Sequence, residues 1–362
     1  MKVLCITEDL DHPTTALFIG LRDAGVDLLV SCPANSRYRP MLESAGITLL
    51  DLQFSRRVDR PAIARLREEI GKGCDILHLF SNKALQNGLI AAKNLPVKIV
   101  AYRGIVGNVS FLSPVSWMRF LNPRIDRIVC VADAVRRHFL SMRPKFLRMP
   151  AERPVTIHKG HSLDWYTAEP ADLLSVGIPR ESFKIVCVAN YRPRKGIEVL
   201  VEAVASLPRE WNTHLLLVGE MRSGVLDAAI ERSGAAARVH RLGYRSDAPA
   251  ITAACDIFVL PSIKREGLAR SLIEAMAYGV APIVTDCGGS PELVLDGECG
   301  IVVPVRDAAA LSDAIRTLYL NPELRSRYGR AARCRIATDF RIETTIEKTL
   351  ALYADVLGEK PG

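Results

Sequence analysis

The chain has 362 residues, 49% of them hydrophobic and 24% charged, with 48 Lys+Arg against 40 Asp+Glu. That balance excludes a disordered chain, a collagen-like repeat and a disulfide-stapled miniprotein, and at roughly 150 residues per domain the length suggests two domains, each able to bury its own core. No apolar run approaches the roughly 20 residues of a membrane span, and the short run at 1–7 meets Glu8, Asp9 and Asp11 at once, so no secretory leader is expected.

Residues 2–7 (KVLCIT) are apolar with no helical period, as in a buried parallel strand, and 14–24 then carries helical spacing ended by Gly25. The alternation continues with strands at 26–32 and 47–52, a helix at 60–71, a strand at 75–80, a helix at 83–93 and a strand at 97–102. A loop with two glycines covers 103–114. A short helix (115–121), a strand (127–131) and a helix (133–141) follow. Residues 143–154 hold Pro144, Pro150 and Pro154 and break the pattern before one short strand at 155–158. The second half restarts with strands at 183–189, 214–218, 239–242, 257–260 and 281–285, separated by helices at 197–207, 224–233, 248–254 and 268–278. A short strand at 301–304 and helices at 308–320, 322–338 and 343–357 close the chain.

This reads as α/β: two doubly wound, Rossmann-like domains of parallel strands, with ligands expected beyond the strands' carboxyl ends, in a cleft that both sheets face. The expected division is a first domain over 1–158, a linker over 159–171, a second domain over 172–338, and a C-terminal helix over 339–362 that can pack back on the first. No GxGxxG or P-loop follows the first strand, where Glu8-Asp9-Leu10-Asp11-His12-Pro13 stands instead, so a dehydrogenase is not expected. The nine cysteines are at least twelve positions apart with no CxxC, and read as reduced core residues of a cytoplasmic protein. The basic excess lies in one block: residues 76–150 carry 12 Lys+Arg against only Asp126 and Asp133. That is a solvated face or a surface for something anionic, such as a membrane leaflet, a phosphorylated glycan or a nucleic acid.

The chemistry concentrates in the second half. At 183–196 (FKIVCVANYRPRKG) a strand runs into Arg192, Arg194 and Lys195 before a helix, and three cations there can neutralise a diphosphate. At 260–304, Glu266 and Glu274 stand eight apart, with Gly267 beside the first and Glu274 in a helix opening near Gly267, whose free amides suit phosphate or sugar hydroxyls. Two acids and a cation cluster together fit a nucleotide-sugar.

These residues resemble a family 4 glycosyltransferase of the GT-B architecture. EGLARSLIE matches that family's two-glutamate motif, the following AMAYGVAPIVTDCGGSPELVLDGECGIVVP its next pattern, NYRPRKG its basic loop, and LGYRSDAPAITAACDIFVLPS the stretch between. The resemblance is specific over 170–335 and loose over 1–160. It implies that Glu274 holds the donor ribose, Glu266 contacts the transferred sugar, and Lys195 with Arg192 or Arg194 binds the diphosphate. It further implies that the turn Gly243-Tyr244-Arg245 faces the base, that Leu268, Ala269 and Arg270 tune the sugar, and that Gly288 and Gly289 let backbone approach the ligand. The resemblance implies a retaining, metal-independent transfer with no cofactor, in which the leaving diphosphate takes the acceptor's proton.

The sequence departs from that pattern in places. Asn190 and Ala189 stand where the family often has an arginine, Ala269 replaces a glycine, and Tyr102-Arg103-Gly104 replaces a histidine, so that Arg103 becomes a diphosphate, sugar or acceptor ligand. His78, Asp11 and His12 are acceptor-side candidates. A two-carboxylate hydrolase fits poorly with both glutamates on one helical stretch. A nucleotide-sugar epimerase and a non-enzymatic anion-binding module remain as alternatives, and the basic block lacks a zinc finger or RNP-like motif for nucleic acid. The expected activity is transfer to a glycan or lipid-linked acceptor in bacterial-type envelope polysaccharide or lipopolysaccharide synthesis, in the cytoplasm and at the inner face of its membrane. The expected membrane anchor is Leu112, Val115, Trp117, Met118, Phe120 and Leu121 around Arg119, with Arg136, Arg137, Arg143, Lys145 and Arg148.

Overall fold

The computed structural model of the protein describes residues 1–142 and 147–358. Arg143, Pro144 and Lys145, part of the expected anchor region, lie outside the described residues. The chain forms two compact units: Met1–Gly160 with the C-terminal segment from Phe340, and His161–Asp339.

The first unit contains β1 (Lys2–Ile6), α1 (His12–Asp23), β2 (Asp27–Ser31), α2 (Arg39–Ser44), β3 (Thr48–Leu50), α3 (Arg60–Gly71), β4 (Ile76–Leu79) and α4 (Asn82–Ala91). It continues with β5 (Lys98–Arg103), α5 (Pro114–Trp117), β6 (Arg127–Cys130), α6 (Asp133–Leu140) and β7 (Pro154–Thr156). The sheet is parallel throughout, in the order β3-β2-β1-β4-β5-β6-β7. Helix starts follow from local chemistry: Asp11, Asp59 and Ser81 accept from Thr14 N (3.0 Å), Ala62 N (3.3 Å) and Ala84 N (3.0 Å), each satisfying an amide that the helix leaves free.

The second unit repeats the plan with β8 (Phe183–Val188), α7 (Ile197–Ala205), β9 (Thr213–Val218), α8 (Gly224–Ser233), β10 (Val239–Gly243), α9 (Ala248–Ala253) and β11 (Ile257–Leu260). Then come α10 (Arg270–Ala277), β12 (Ala281–Thr285), α11 (Ser290–Leu293), β13 (Ile301–Val303), α12 (Ala308–Leu320) and α13 (Pro322–Asp339). This sheet is also parallel, ordered β10-β9-β8-β11-β12-β13. β8, β9, β11 and β12 are apolar on both faces because helices cover both.

Helix α14 (Ile342–Leu357) belongs to the first unit. Its Tyr353, fully buried, bonds His78 Nδ1 at 2.7 Å; its Thr345 hydroxyl donates to the His158 carbonyl (2.8 Å) and accepts from Gly160 N (2.8 Å); and its Asp355 pairs with Arg127 at 2.7 Å. Two short helices, α2 of six residues and α11 of four, were not anticipated. The helix expected over 268–278 opens later, at Arg270, with Ala269 in extended backbone before it. Eight of the nine cysteines are buried, Cys334 is exposed, and all are free thiols.

Candidate active site

In the second unit the basic loop, Glu266 and the paired glycines come from the carboxyl ends of three sheet neighbours. The loop after β8 carries Arg192, Arg194 and Lys195, the loop after β11 carries Ser262 and Glu266, and the loop after β12 carries Gly288 and Gly289. Glu266, 8% exposed, accepts on Oε2 both from Lys195 Nζ at 2.8 Å and from Ser262 Oγ at 2.6 Å. Hydrogen bonds to a charged acceptor are about twice as strong as neutral ones, so this carboxylate is held in one place. Ser262 is fixed in turn, since its carbonyl accepts from the Thr285 hydroxyl. The basic loop is tied down by Ile263 N, which donates to the Arg194 carbonyl at 2.7 Å.

Two glycines make this packing possible. Gly196 has φ +65°, and a Cβ on it would lie 2.2 Å from the Pro261 carbonyl oxygen. Gly288 has φ +60°, and its Cβ would lie 2.1 Å from the Glu266 carbonyl oxygen. The close approach at Gly288 is therefore to Glu266's own backbone, where a close approach to ligand was expected. Gly289 N donates to that same carbonyl at 3.4 Å. Arg265, just before Glu266, takes φ +65°, a conformation uncommon outside glycine and frequent at functional sites.

Glu274 lies on α10, its side chain 14% exposed, with Oε1 accepting from Arg270 Nε at 2.7 Å. Gly267 and Ala269 are buried and Leu268 half-buried between the two glutamates. Arg192 is exposed and donates from Nη1 to the Tyr191 carbonyl at 2.8 Å. Asn190, at the family's arginine position, instead accepts from Glu220 N at 3.0 Å and so braces the loop after β9. At the end of β10, Gly243 has φ +69°, Tyr244 is 78% exposed, and Arg245 forks onto Asp247 at 2.7 and 2.6 Å. Burial raises the thiols of Cys187, to about 12, and Cys287, so both stay protonated beside this site.

The first unit distributes its candidates differently. His78 sits within β4, 1% exposed, beneath α14, its ring centroid 4.1 Å from that of Phe80 and tilted by 31°; burial pushes its pKa down to about 3. That is a core position, tied to α14 through Tyr353. Asp11 caps α1 and pairs with Lys159 at 2.6 Å; burial alone would raise its pKa, but Lys159 and Thr14 hold it at about 2. His12 stacks on Tyr38 at 5.6 Å. Arg103, at the end of β5, is 5% exposed, lies 4.9 Å over the Phe120 ring, and donates to the carbonyls of Ile105 (3.1 Å) and Gly107. Of the expected apolar anchor, Phe120 and Leu121 are core residues, while Leu112 (81%), Trp117 (42%) and Met118 (47%) are exposed.

Sequence reading missed Ser262 and Thr285, which orient Glu266, and the Glu8–Lys83 pair (2.7 Å) beyond β1. For Ser262 and Glu8 the only signal was a polar residue just past an apolar strand; Thr285 ends β12 and Lys83 lies in α4.

Residues 171–335 match the family described as glycosyl transferases group 1. The chain is 28% identical over 323 residues to the phosphatidyl-myo-inositol mannosyltransferase of Mycolicibacterium smegmatis, covering 85% of this chain and 80% of the relative. It is 29% identical over 183 residues to the lipopolysaccharide core biosynthesis glycosyltransferase LpsE of Rhizobium meliloti, covering 51% and 53%. Anabaena HepE, solved in complex with UDP, superposes with a TM-score of 0.78 at 22% identity over 98% of this chain and all of HepE.

Proposed function

We propose that this chain, a glycosyltransferase of GT-B fold, moves a sugar from a nucleotide-sugar donor held by the second unit to a glycan or lipid-linked acceptor presented by the first, with retention of anomeric configuration. The carrying observation is the Lys195–Glu266–Ser262 constellation at the carboxyl ends of neighbouring parallel strands. Here Glu274 holds the donor ribose, and Lys195 with Arg192 and Arg194 meets the diphosphate. Glu266 lies against the transferred sugar, flanked by Gly267, Leu268, Ala269 and Arg270, which shape its pocket. The turn at Gly243, Tyr244 and Arg245 borders the base.

The leaving diphosphate gains charge as the sugar bond breaks, and a lysine already fixed by Glu266 stabilises it without reorganising. The acceptor hydroxyl attacks from the same face and its proton passes to a diphosphate oxygen. Positioning supplies the rest, and the reading needs neither covalent nucleophile, cofactor nor metal.

The relatives named for phosphatidyl-myo-inositol and for lipopolysaccharide core support an acceptor from envelope glycan synthesis. Exposed Leu112, Trp117 and Met118 beside the basic block support peripheral docking on the inner face of an anionic membrane. Among the described residues no helix is long and apolar enough to cross a membrane.

The test is a transfer assay with lipid-linked and soluble glycan acceptors, read by release of nucleoside diphosphate and by product anomer in NMR. Acceptor-dependent release with a retained anomer is expected. An inverted anomer overturns the retaining step, and acceptor-independent release of free sugar favours the epimerase class.

A further inference from the structure

We infer that Arg103, Arg119 and Arg57 form a subsite in the first unit for a phosphate group carried by the acceptor. This inference rests on the transferase reading for its word acceptor, but its geometry is independent of the donor site.

Arg103 is the starting point. Its guanidinium is buried and spends Nε and Nη2 on two carbonyls, of Ile105 and Gly107. Guanidinium has five N–H donors, and Nη1 makes no hydrogen bond among the described residues. Nor does any carboxylate among the described residues lie within 4.0 Å of it. A buried cation without a carboxylate is costly, and an anion docked against its free edge would offset that cost.

Arg119 repeats the arrangement. It grips the buried Gln86 through one edge, Nε at 3.2 Å and Nη2 at 3.0 Å from Oε1, and among the described residues it too lacks a carboxylate partner. The three arginines are mechanically linked. Arg119 precedes Phe120, the ring under Arg103. Gln86 precedes Asn87, whose Nδ2 donates to the Arg57 carbonyl at 3.3 Å and whose Oδ1 accepts from Asp59 N at 2.9 Å. Two of the cations register a neighbour: burial lowers the pKa of Arg103, with Cys130 opposing and Arg119 adding to that, and burial and then Arg57 lower that of Arg119.

Acids of this unit have other partners: the Asp59 carboxylate accepts from Ser55 N and Oγ and from Ala62 N. Asp126 bonds Ile99 N at 2.8 Å and Lys98, Asp133 pairs with Arg137 at 2.7 Å and with Arg136, and Glu8 pairs with Lys83. Arg103 ends β5, Arg119 packs on the first half of α4, and Arg57 lies in the loop after β3, so all three belong to the carboxyl edge where doubly wound sheets take ligands. Planar forks with free edges suit phosphate oxygens better than they suit a neutral sugar.

The experiment titrates inorganic phosphate into the full chain by calorimetry, in the wild type and in Lys195→Ala, Arg119→Gln and Arg57→Gln. A phosphate-binding event that survives Lys195→Ala and weakens at least tenfold in Arg119→Gln, with a smaller loss in Arg57→Gln, is expected. Binding unaffected by both arginine changes, or abolished by Lys195→Ala alone, overturns the inference. Thermal melts of the variants separate a lost site from a lost fold. Vesicles of phosphatidylglycerol then distinguish the source. Vesicle binding competed by inorganic phosphate and weakened by Arg119→Gln places the phosphate on a lipid headgroup, and vesicle binding indifferent to both places it on a soluble acceptor. Failure of nucleotide-sugars to bind at all would sink the transferase reading while leaving the phosphate titration intact.

Discussion

Replacing Gly288 by alanine perturbs the site without touching any ligand-binding side chain. The new Cβ would lie 2.1 Å from the Glu266 carbonyl oxygen, about 0.9 Å inside the 3.0 Å limit that real Cβ atoms respect. Both partners are backbone, so a rotamer change offers no relief, and the Glu266 loop must shift by nearly that amount. Alanine at φ +60° adds about 1–2 kcal/mol of conformational cost. A displacement near 1 Å at a positioned group costs about 100-fold in rate. Gly297 supplies the control: its φ is +74°, but a Cβ there meets nothing within 4 Å. Gly297→Ala should lose about 1–2 kcal/mol in urea unfolding and keep its kcat/KM, whereas Gly288→Ala should lose at least that stability and also about 100-fold in kcat/KM. Equal activity in the two variants would refute the argument that Gly288 exists to seat Glu266.

Lys195→Ala should lower kcat more than it raises KM, because the leaving diphosphate gains charge only in the transition state; a pure KM effect would mean uniform donor binding. If, as proposed, Lys195, Arg192 and Arg194 meet the diphosphate, activity should survive EDTA, and complete loss restored by a divalent cation would contradict this. His78, held neutral by burial with a pKa near 3, is protonated only on unfolding at mildly acid pH. Its contribution is thus full above the unfolded pKa near 6.5 and is lost as pH falls toward 3. Between pH 7 and 5.5 this amounts to about 1 kcal/mol, and His78→Gln should lack that part of the slope in urea melts at the two pH values.

The alternation of apolar runs with helical stretches carried most of the architecture, because parallel strands buried on both faces announce themselves as short β-rich runs. Helix α10 opened at Arg270 where the sequence suggested Leu268, since the approach to it is extended backbone that no periodicity marks. Glu266, Lys195 and Glu274 were legible as charges just past strands or inside a motif. Ser262 and Thr285 were not, because a hydroxyl at or just past a strand's end is common and only the fold brings Ser262 to Glu266 and Thr285 to Ser262. In the first unit the polar candidates His78 and Asp11 turned out to serve packing and capping, and Phe120 of the expected anchor lies under Arg103. Burial is a tertiary property, and a single histidine or phenylalanine carries no local sign of it.

The central claim is that the second unit binds a nucleotide-sugar through Glu274 and Lys195. A thermal-shift panel of UDP-, GDP- and ADP-sugars tests it most directly, since a ligand at 100 times its dissociation constant stabilises by about 2.7 kcal/mol. Glu274→Gln keeps the shape and removes the charge that accepts from the ribose hydroxyls, an interaction of about 1.5–3 kcal/mol. The account predicts a shift with one nucleotide series in the wild type and at least tenfold weaker donor binding in Glu274→Gln, with unliganded stability unchanged. A wild-type shift that Glu274→Gln leaves untouched, or no shift with any nucleotide-sugar, would contradict it.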